Sequence, residues 1–267
     1  MKLILPEDVK RIQCELLQDI ANFCEQEGIT YFLAYGTLIG AIRHNGFIPW
    51  DDDIDIAMPR TDYDKFVKTY NQRNSDKRVI DRSVNSDYNV PFAKVYDART
   101  WLDEYKYSHQ DYGIYIDIFP IDGYGNKCQM LKARLLDKLL HAKRANFKKR
   151  SLLKNLSNML AKLFLLPFSI NDLLKYADAN ARKFAFGSTE RAGNFLETYG
   201  TCEVGDTEWF AKTVFHEFEG KQFRIPVGYD QWLRNIYGDY MQLPPVEEQV
   251  AHHIYNVYWK DSQELQI

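Results

Sequence analysis

The sequence of 267 residues predicts an α+β fold. Three observations carry that expectation. Two segments alternate in period two, "DIDIAM" (53–58) and "IYIDIFPID" (114–122), which is the pattern of strands with one face buried. Residues 7–27 instead space Ile12, Leu16, Ile20 and Phe23 for one helix face, with Gly28 placed to end the helix. From 127 to about 186 the pattern turns helical again.

The elements follow in order. After the first helix, "TYFLAY" (30–35) reads as a short buried strand. "GT" at 36–37 supplies a turn, and "TLIGAIR" a short helix opening from it. "HNG" (44–46) is a turn signal. The strand at 53–58 follows, and Pro59 starts a helix to about Tyr70 with Tyr63, Phe66, Val67 and Tyr70 on one side. Further strands are expected at 78–82, 91–97 and 114–122. The last third mixes short strands and loops around a helix within 227–245 that Gly238 closes.

Composition narrows the function. At 45% apolar and 27% charged residues, wholesale disorder is excluded. Aromatic residues reach 15%, explained most commonly by aromatic cores and otherwise by sugar or base stacking. A net charge of −3 gives no global attraction to nucleic acid. The four cysteines, Cys14, Cys24, Cys128 and Cys202, form no CxxC pair or zinc spacing, which points to reduced thiols. The apolar part of the N-terminus is too short for a signal peptide, and no run of 18 apolar residues exists. A cytoplasmic protein is expected.

The chemistry concentrates in "YFLAYGTLIGAIRHNGFIPWDDDIDIAMPR" (31–60). Asp51, Asp52, Asp53 and Asp55 repel one another unless something positive sits among them. Asp53 and Asp55, two apart on a strand, project from one face, a geometry that holds a divalent cation through hard oxygen ligands. Asp117 occupies the same kind of position on a second strand, so pairing of the two strands would bring three carboxylates together. Gly36 and Thr37 lie where a helix N-terminus offers free N–H groups to a phosphate. A solvated acidic edge is the plain alternative, opposed by the neighbours Ile48, Trp50, Ile54 and Ile56. An EF-hand fails, because its glycine position is Ile56 and its twelfth position Asp62. Arg43 is positioned either for a bidentate phosphate contact or for a salt bridge to Asp51 or Asp52. Lys94 serves either a phosphate or solvent, and His253, beside His252, either substrate or the bare surface.

These residues resemble the signature of the LicD family. "YGTLIGAIRHNGFIPWDDDIDIAMPRTDYDKF" is the main block, and "AKVYDART", "IYIDIFPIDG", "LRNIYGDYMQLPP" and the closing "HH" resemble later blocks in the same order. The resemblance implies a nucleotidyltransferase-like mixed sheet flanked by helices. The expected division is a nucleotidyltransferase-like catalytic core over 1–126, a basic helical subdomain over 127–190 and a C-terminal segment over 191–267 that completes the substrate site. The resemblance further implies transfer of phosphocholine from CDP-choline to a sugar hydroxyl of a cell-surface polysaccharide or teichoic-acid precursor. Related members of the fukutin group transfer ribitol phosphate, so a ribitol or glycerol donor is the alternative cargo, and nucleotidylyl transfer to a small molecule the alternative reaction. By the same resemblance Asp53, Asp55 and Asp117 match the metal carboxylates, with Mg²⁺ the expected ion and Mn²⁺ a substitute, and Gly36 and Thr37 match the phosphate turn. No nucleic-acid partner is expected.

Residues 127–154 carry ten Lys and Arg against the single acid Asp137, followed by the apolar "SLLKNLSNMLAKLFLLPF". Such a segment suits peripheral contact with an anionic inner membrane surface, where a lipid-linked glycan acceptor would lie. A packed subdomain with a solvated basic face explains it equally well.

Overall fold

The computed structural model describes residues 2–104, 112–144, 167–250 and 255–260. Helix α1 (Pro6–Glu27) begins with proline at its first position and Glu7 and Asp8 in its first turn, where acids favour the helix dipole. It ends where Gly28 turns left-handed at φ 63° and Ile29 N–H donates to Cys24 O at 2.8 Å. That cap conformation suits a residue without Cβ. Ile12, Leu16, Leu17 and Ile20 lie against the sheet and are almost completely buried.

The main sheet is mixed, as expected. Its central path runs β2 (Phe32–Leu33), β3 (Asp55–Pro59), β7 (Tyr115–Gly123), β5 (Ala93–Asp97) and β4 (Lys77–Ile80). β3 and β7 pair in parallel, while the other neighbours on this path are antiparallel. Strands β8 (Arg191–Gly193) and β9 (Gly205–Asp206) extend it from the end of β7. Ile56, Ile118, Ala93 and Val95 are fully buried, so the sheet interior is apolar and polar chemistry is pushed to its ends.

Helix α2 (Tyr35–His44) follows β2, and α3 (Arg60–Tyr70) follows β3. Arg60, at the start of α3, donates from Nε and Nη2 to Asp122 near the end of β7, at 2.8 and 2.5 Å. Both side chains are buried, so neither charge is tolerable without the other. Helices α4 (Lys127–Arg144) and α5 (Ile170–Ala181) pack on each other through Leu140, Leu173 and Leu174. Helix α6 (Thr207–Ala211) and the hairpin β10 (Thr213–Phe218) with β11 (Lys221–Pro226) precede α7 (Tyr229–Tyr237), which stops at Gly238.

Two expectations change, and one sheet was not expected at all. The buried strand at 30–35 contracts to Phe32–Leu33, because Tyr35 already adopts φ 47° and opens α2. The strand expected from residue 53 begins at Asp55, leaving Asp53 just before it. A separate sheet, β1 (Lys2–Leu3), β12 (Tyr255–Trp259) and β6 (Thr100–Glu104), joins segments far apart in sequence and had no periodic signature. Most of the apolar half of the basic region and both His252 and His253 lie outside the described residues. Among those that are described, no helix is long and apolar enough to cross a membrane.

Candidate functional site

The start of α2 is tied to the start of β3. Asp55 N–H donates to Thr37 Oγ1 at 2.8 Å, so the threonine hydroxyl joins the turn to the strand that carries the carboxylate. Gly36 has no side chain for a spatial reason: a Cβ there would come to 2.8 Å from Asp51 Oδ2. The Gly-Thr turn and the aspartates are therefore in close contact, although Thr37 and Asp51 are 14 positions apart in the chain.

The register of the sheet brings the deeper acids together. Asp55 on β3 lies beside Asp117 on β7, and Lys94 on β5 lies on the other side of Asp117. Residues opposite one another project from the same face, so an acid–acid–lysine row crosses three adjacent strands. Lys94 Nζ donates to Asp117 Oδ1 and sits 3.4 Å from the ring centroid of Tyr115. It is buried, so the solvated alternative for Lys94 does not hold. Burial, then the charges of Asp53, Asp117 and Asp51, hold the Asp55 carboxyl well above the ordinary range. Burial also raises Asp117, against the opposing pull of Lys94. Asp51 is raised as well, mainly by burial.

At the mouth, oxygens of Asp51, Asp52 and Asp53 come within 4.8 Å of one another. The carboxylates thus form two tiers, this outer group and the Asp55–Asp117 pair behind it. The sequence reading placed Asp53 with Asp55 and Asp117. The structure keeps its charge near both but moves its backbone off the strand. All the donors are hard carboxylate oxygens, a set that suits Mg²⁺ or Mn²⁺.

A cavity of about 340 Å³ opens over the carboxylates, lined by Asp51, Asp53 and Asp55 together with the aromatic residues Trp50, Tyr199 and Tyr237. An adjoining groove of about 490 Å³ shares Ile39, Ile48, Trp50 and Tyr237 with it. Arg43 lines this groove, yet its Nη1 donates to the carbonyls of Tyr240 (2.6 Å) and Gln242 (3.4 Å), and its Nε to His44 Nε2 (2.9 Å). None of these bonds goes to Asp51 or Asp52, so the salt bridge expected as its alternative role does not form. Tyr199 and Tyr237 were missed as site residues. Tyr237 sits in the "LRNIYGDYMQLPP" block, a signal that was available, whereas nothing in the pattern around Tyr199 marks it.

The model of the family described as LicD/FKTN/FKRP, nucleotidyltransferase domain, matches residues 28–167. A protein of Haemophilus influenzae named lipopolysaccharide cholinephosphotransferase LicD is 32% identical over 265 residues, covering 97% of this chain and 99% of its own. The chain belongs to the LicD family. It is accordingly an enzyme of the LicD phosphotransferase class with a nucleotidyltransferase-like fold. Shorter similarity, 39% over 44 residues, extends to the ribitol 5-phosphate transferase FKRP of human and mouse, spanning 16% of this chain and 9% of those proteins. A protein of Rickettsia prowazekii with no described function is 42% identical over 48 residues, 18% of each chain.

Proposed function

We propose that this LicD-family enzyme transfers phosphocholine from CDP-choline to a sugar hydroxyl of a cell-surface polysaccharide or lipopolysaccharide precursor. The observation that carries the reading is the row Asp55–Asp117–Lys94 joined to the Gly36–Thr37 turn, in a chain similar over nearly its whole length to a cholinephosphotransferase. Choline as cargo is supported by Trp50, Tyr199 and Tyr237 lining the same cavity as the acids, since a quaternary ammonium is stabilised by aromatic faces and nearby carboxylates.

Asp53, Asp55 and Asp117 would hold Mg²⁺, with Asp51 beside them. When bound, the ion supplies neutralisation of the charge that develops on the diphosphate. The turn at Gly36 and Thr37 binds a donor phosphate through backbone N–H groups at the start of α2. Lys94 adds a cation on the far side of Asp117. The sugar oxygen bonds to the phosphorus that carries choline as the bond from that phosphorus to the CMP oxygen breaks. The hydroxyl proton passes to a carboxylate of the cluster, with Asp117 the candidate by its place in the row beside Asp55.

Purified protein incubated with CDP-choline, MgCl₂ and a lipopolysaccharide oligosaccharide should release CMP and add one phosphocholine to the acceptor, measured by mass spectrometry. Release of pyrophosphate from CTP with no CMP from CDP-choline would overturn the reading in favour of nucleotidylyl transfer. Turnover of CDP-ribitol alone would leave the chemistry and replace the cargo. Peripheral membrane contact is part of the same proposal. Leu131 and Leu135, one turn apart on α4, are 66% and 55% exposed among the lysines of that helix. Failure to float with anionic liposomes at low salt would remove it.

A further inference from the structure

Behind the aromatic wall lies a carboxylate that none of these roles uses. Glu203 ends the short turn Thr201–Glu203 and is fully buried. Tyr35 Oη donates to its Oε2 at 2.5 Å, Thr198 Oγ1 donates to its Oε1 at 2.7 Å, and the Tyr199 N–H donates to the same oxygen. Asn194 Nδ2 donates to the Tyr35 hydroxyl at 3.0 Å, and Trp232 Nε1 to the Glu203 carbonyl at 3.2 Å. Among the described residues no basic side chain forms an ion pair with Glu203. A carboxylate buried without a countercharge is costly, and is retained where its hydrogen bonds hold something that matters.

What it holds is the front of the site. Tyr35 is kept at φ 47°, a left-handed conformation that an aromatic residue adopts only when its surroundings impose it. The next two residues are Gly36 and Thr37. Tyr199, gripped through its N–H, turns its ring to the cavity. Burial pushes the Glu203 carboxyl up to about 7 against the opposing pull of its donors.

We propose that Glu203 is a positioning residue for the donor site, pinning Tyr35 and Tyr199 so that the Gly36–Thr37 turn and the aromatic wall are set around a substrate diphosphate. The proposal rests on the CDP-alcohol reading above. It acts through hydrogen bonds rather than contact with substrate. Glu203→Gln keeps the size but turns an N–H₂ toward one of the donors, and Tyr35→Phe removes a single oxygen from the other end of the bond.

The test is calorimetric titration of wild type, Glu203→Gln, Tyr35→Phe and the double variant with CDP-choline in MgCl₂, with kcat, KM and melting temperature alongside. Each single variant should weaken donor binding at least tenfold and raise the donor KM, while the acceptor KM stays within twofold. The double variant should be no worse than the weaker single one, because both break the same bond. A merely structural role would lower the melting temperature and the active fraction without moving the donor KM, and that outcome overturns the proposal. If Glu203→Gln does not fold, Tyr35→Phe decides alone: wild-type donor affinity in that variant overturns it. Wild type that binds neither CDP-choline nor CDP would overturn the CDP reading and this inference with it, whereas equal binding by wild type and variants overturns the inference only.

Discussion

Asp55→Asn separates catalytic need from folding need, because the two point in opposite directions. Asp55 and Asp117 lie on neighbouring strands, about 5 Å apart by sheet geometry, on one face. Two unit charges at that separation in an effective dielectric of about 20 repel by roughly 3 kcal/mol. Lys94 offsets part of this at Asp117, so removing the Asp55 charge should stabilise the metal-free protein by about 2 kcal/mol. For a chain of this length that corresponds to a rise of roughly 4–8 °C in melting temperature. Because the folded-state pKa of Asp55 is raised, the folded protein binds more protons than the unfolded chain above the ordinary carboxylate range. Wild-type stability without metal should therefore fall as pH climbs from about 4, and the variant should lose part of that slope.

Metal reverses the comparison. With Mg²⁺ at about a hundred times its dissociation constant, wild type should gain roughly 2.7 kcal/mol, and Asp55→Asn far less. Turnover of the variant should fall by about a thousandfold or more, roughly 4 kcal/mol of barrier. The assay is thermal unfolding with and without MgCl₂ across pH 5–8, alongside CMP release. An Asp55→Asn protein that is less stable without metal and shifts with Mg²⁺ as wild type does would refute the reasoning.

Asp53→Asn should lower CMP release about a thousandfold with circular dichroism unchanged; near-normal activity in the folded variant removes it from the metal site. Gly36→Ala, whose Cβ meets Asp51 Oδ2 at 2.8 Å, should fold but raise the donor KM several-fold, checked by initial rates at varied CDP-choline. Glu203→Gln should flatten the stability of the protein between pH 4.5 and 7. A carboxyl raised from 4.5 to about 7 costs about 3 kcal/mol once ionised, and that part of the fall in stability as pH rises across the window should be missing from the variant, read by denaturant unfolding at each pH. Lys94→Met should tighten Mg²⁺ binding several-fold while lowering turnover, since it removes a competing cation and a phosphate contact together; weaker Mg²⁺ binding by calorimetry would contradict this.

Much of the site was legible because the signals that mark it are local. Asp55 and Asp117 announce themselves as acids alternating with apolar residues on strands, and Gly36–Thr37 as the junction of a strand and a helix, which the structure places in the first turn of α2. Pairing of β3 with β7 could be expected only conditionally, since register is set by tertiary packing. What was illegible depends on long-range contact. Strands β6 and β12 stabilise each other across some 150 residues with no pattern in either. Glu203 lies in "TYGTCEVGD", an irregular stretch whose acid looks like any surface residue until Tyr35 reaches it from 168 positions away. Arg43 shows the converse: a cation near acids suggested a phosphate ligand or a salt bridge, while the fold directs its donors to two backbone carbonyls of the 240–242 segment.

The same register that unites the acids explains why the fold tolerates them. One position along each strand from the charged row, Ile56, Ile118 and Ala93 form a fully buried apolar row across β3, β7 and β5. The sheet is thus secured by apolar packing immediately behind the charges, and a local penalty at its end does not propagate. Lys94 then compensates Asp117 without neutralising the row, and Asp55 lines the cavity beside it. Local propensity is violated at this one end of the sheet, where chemistry requires it, and obeyed in the row behind.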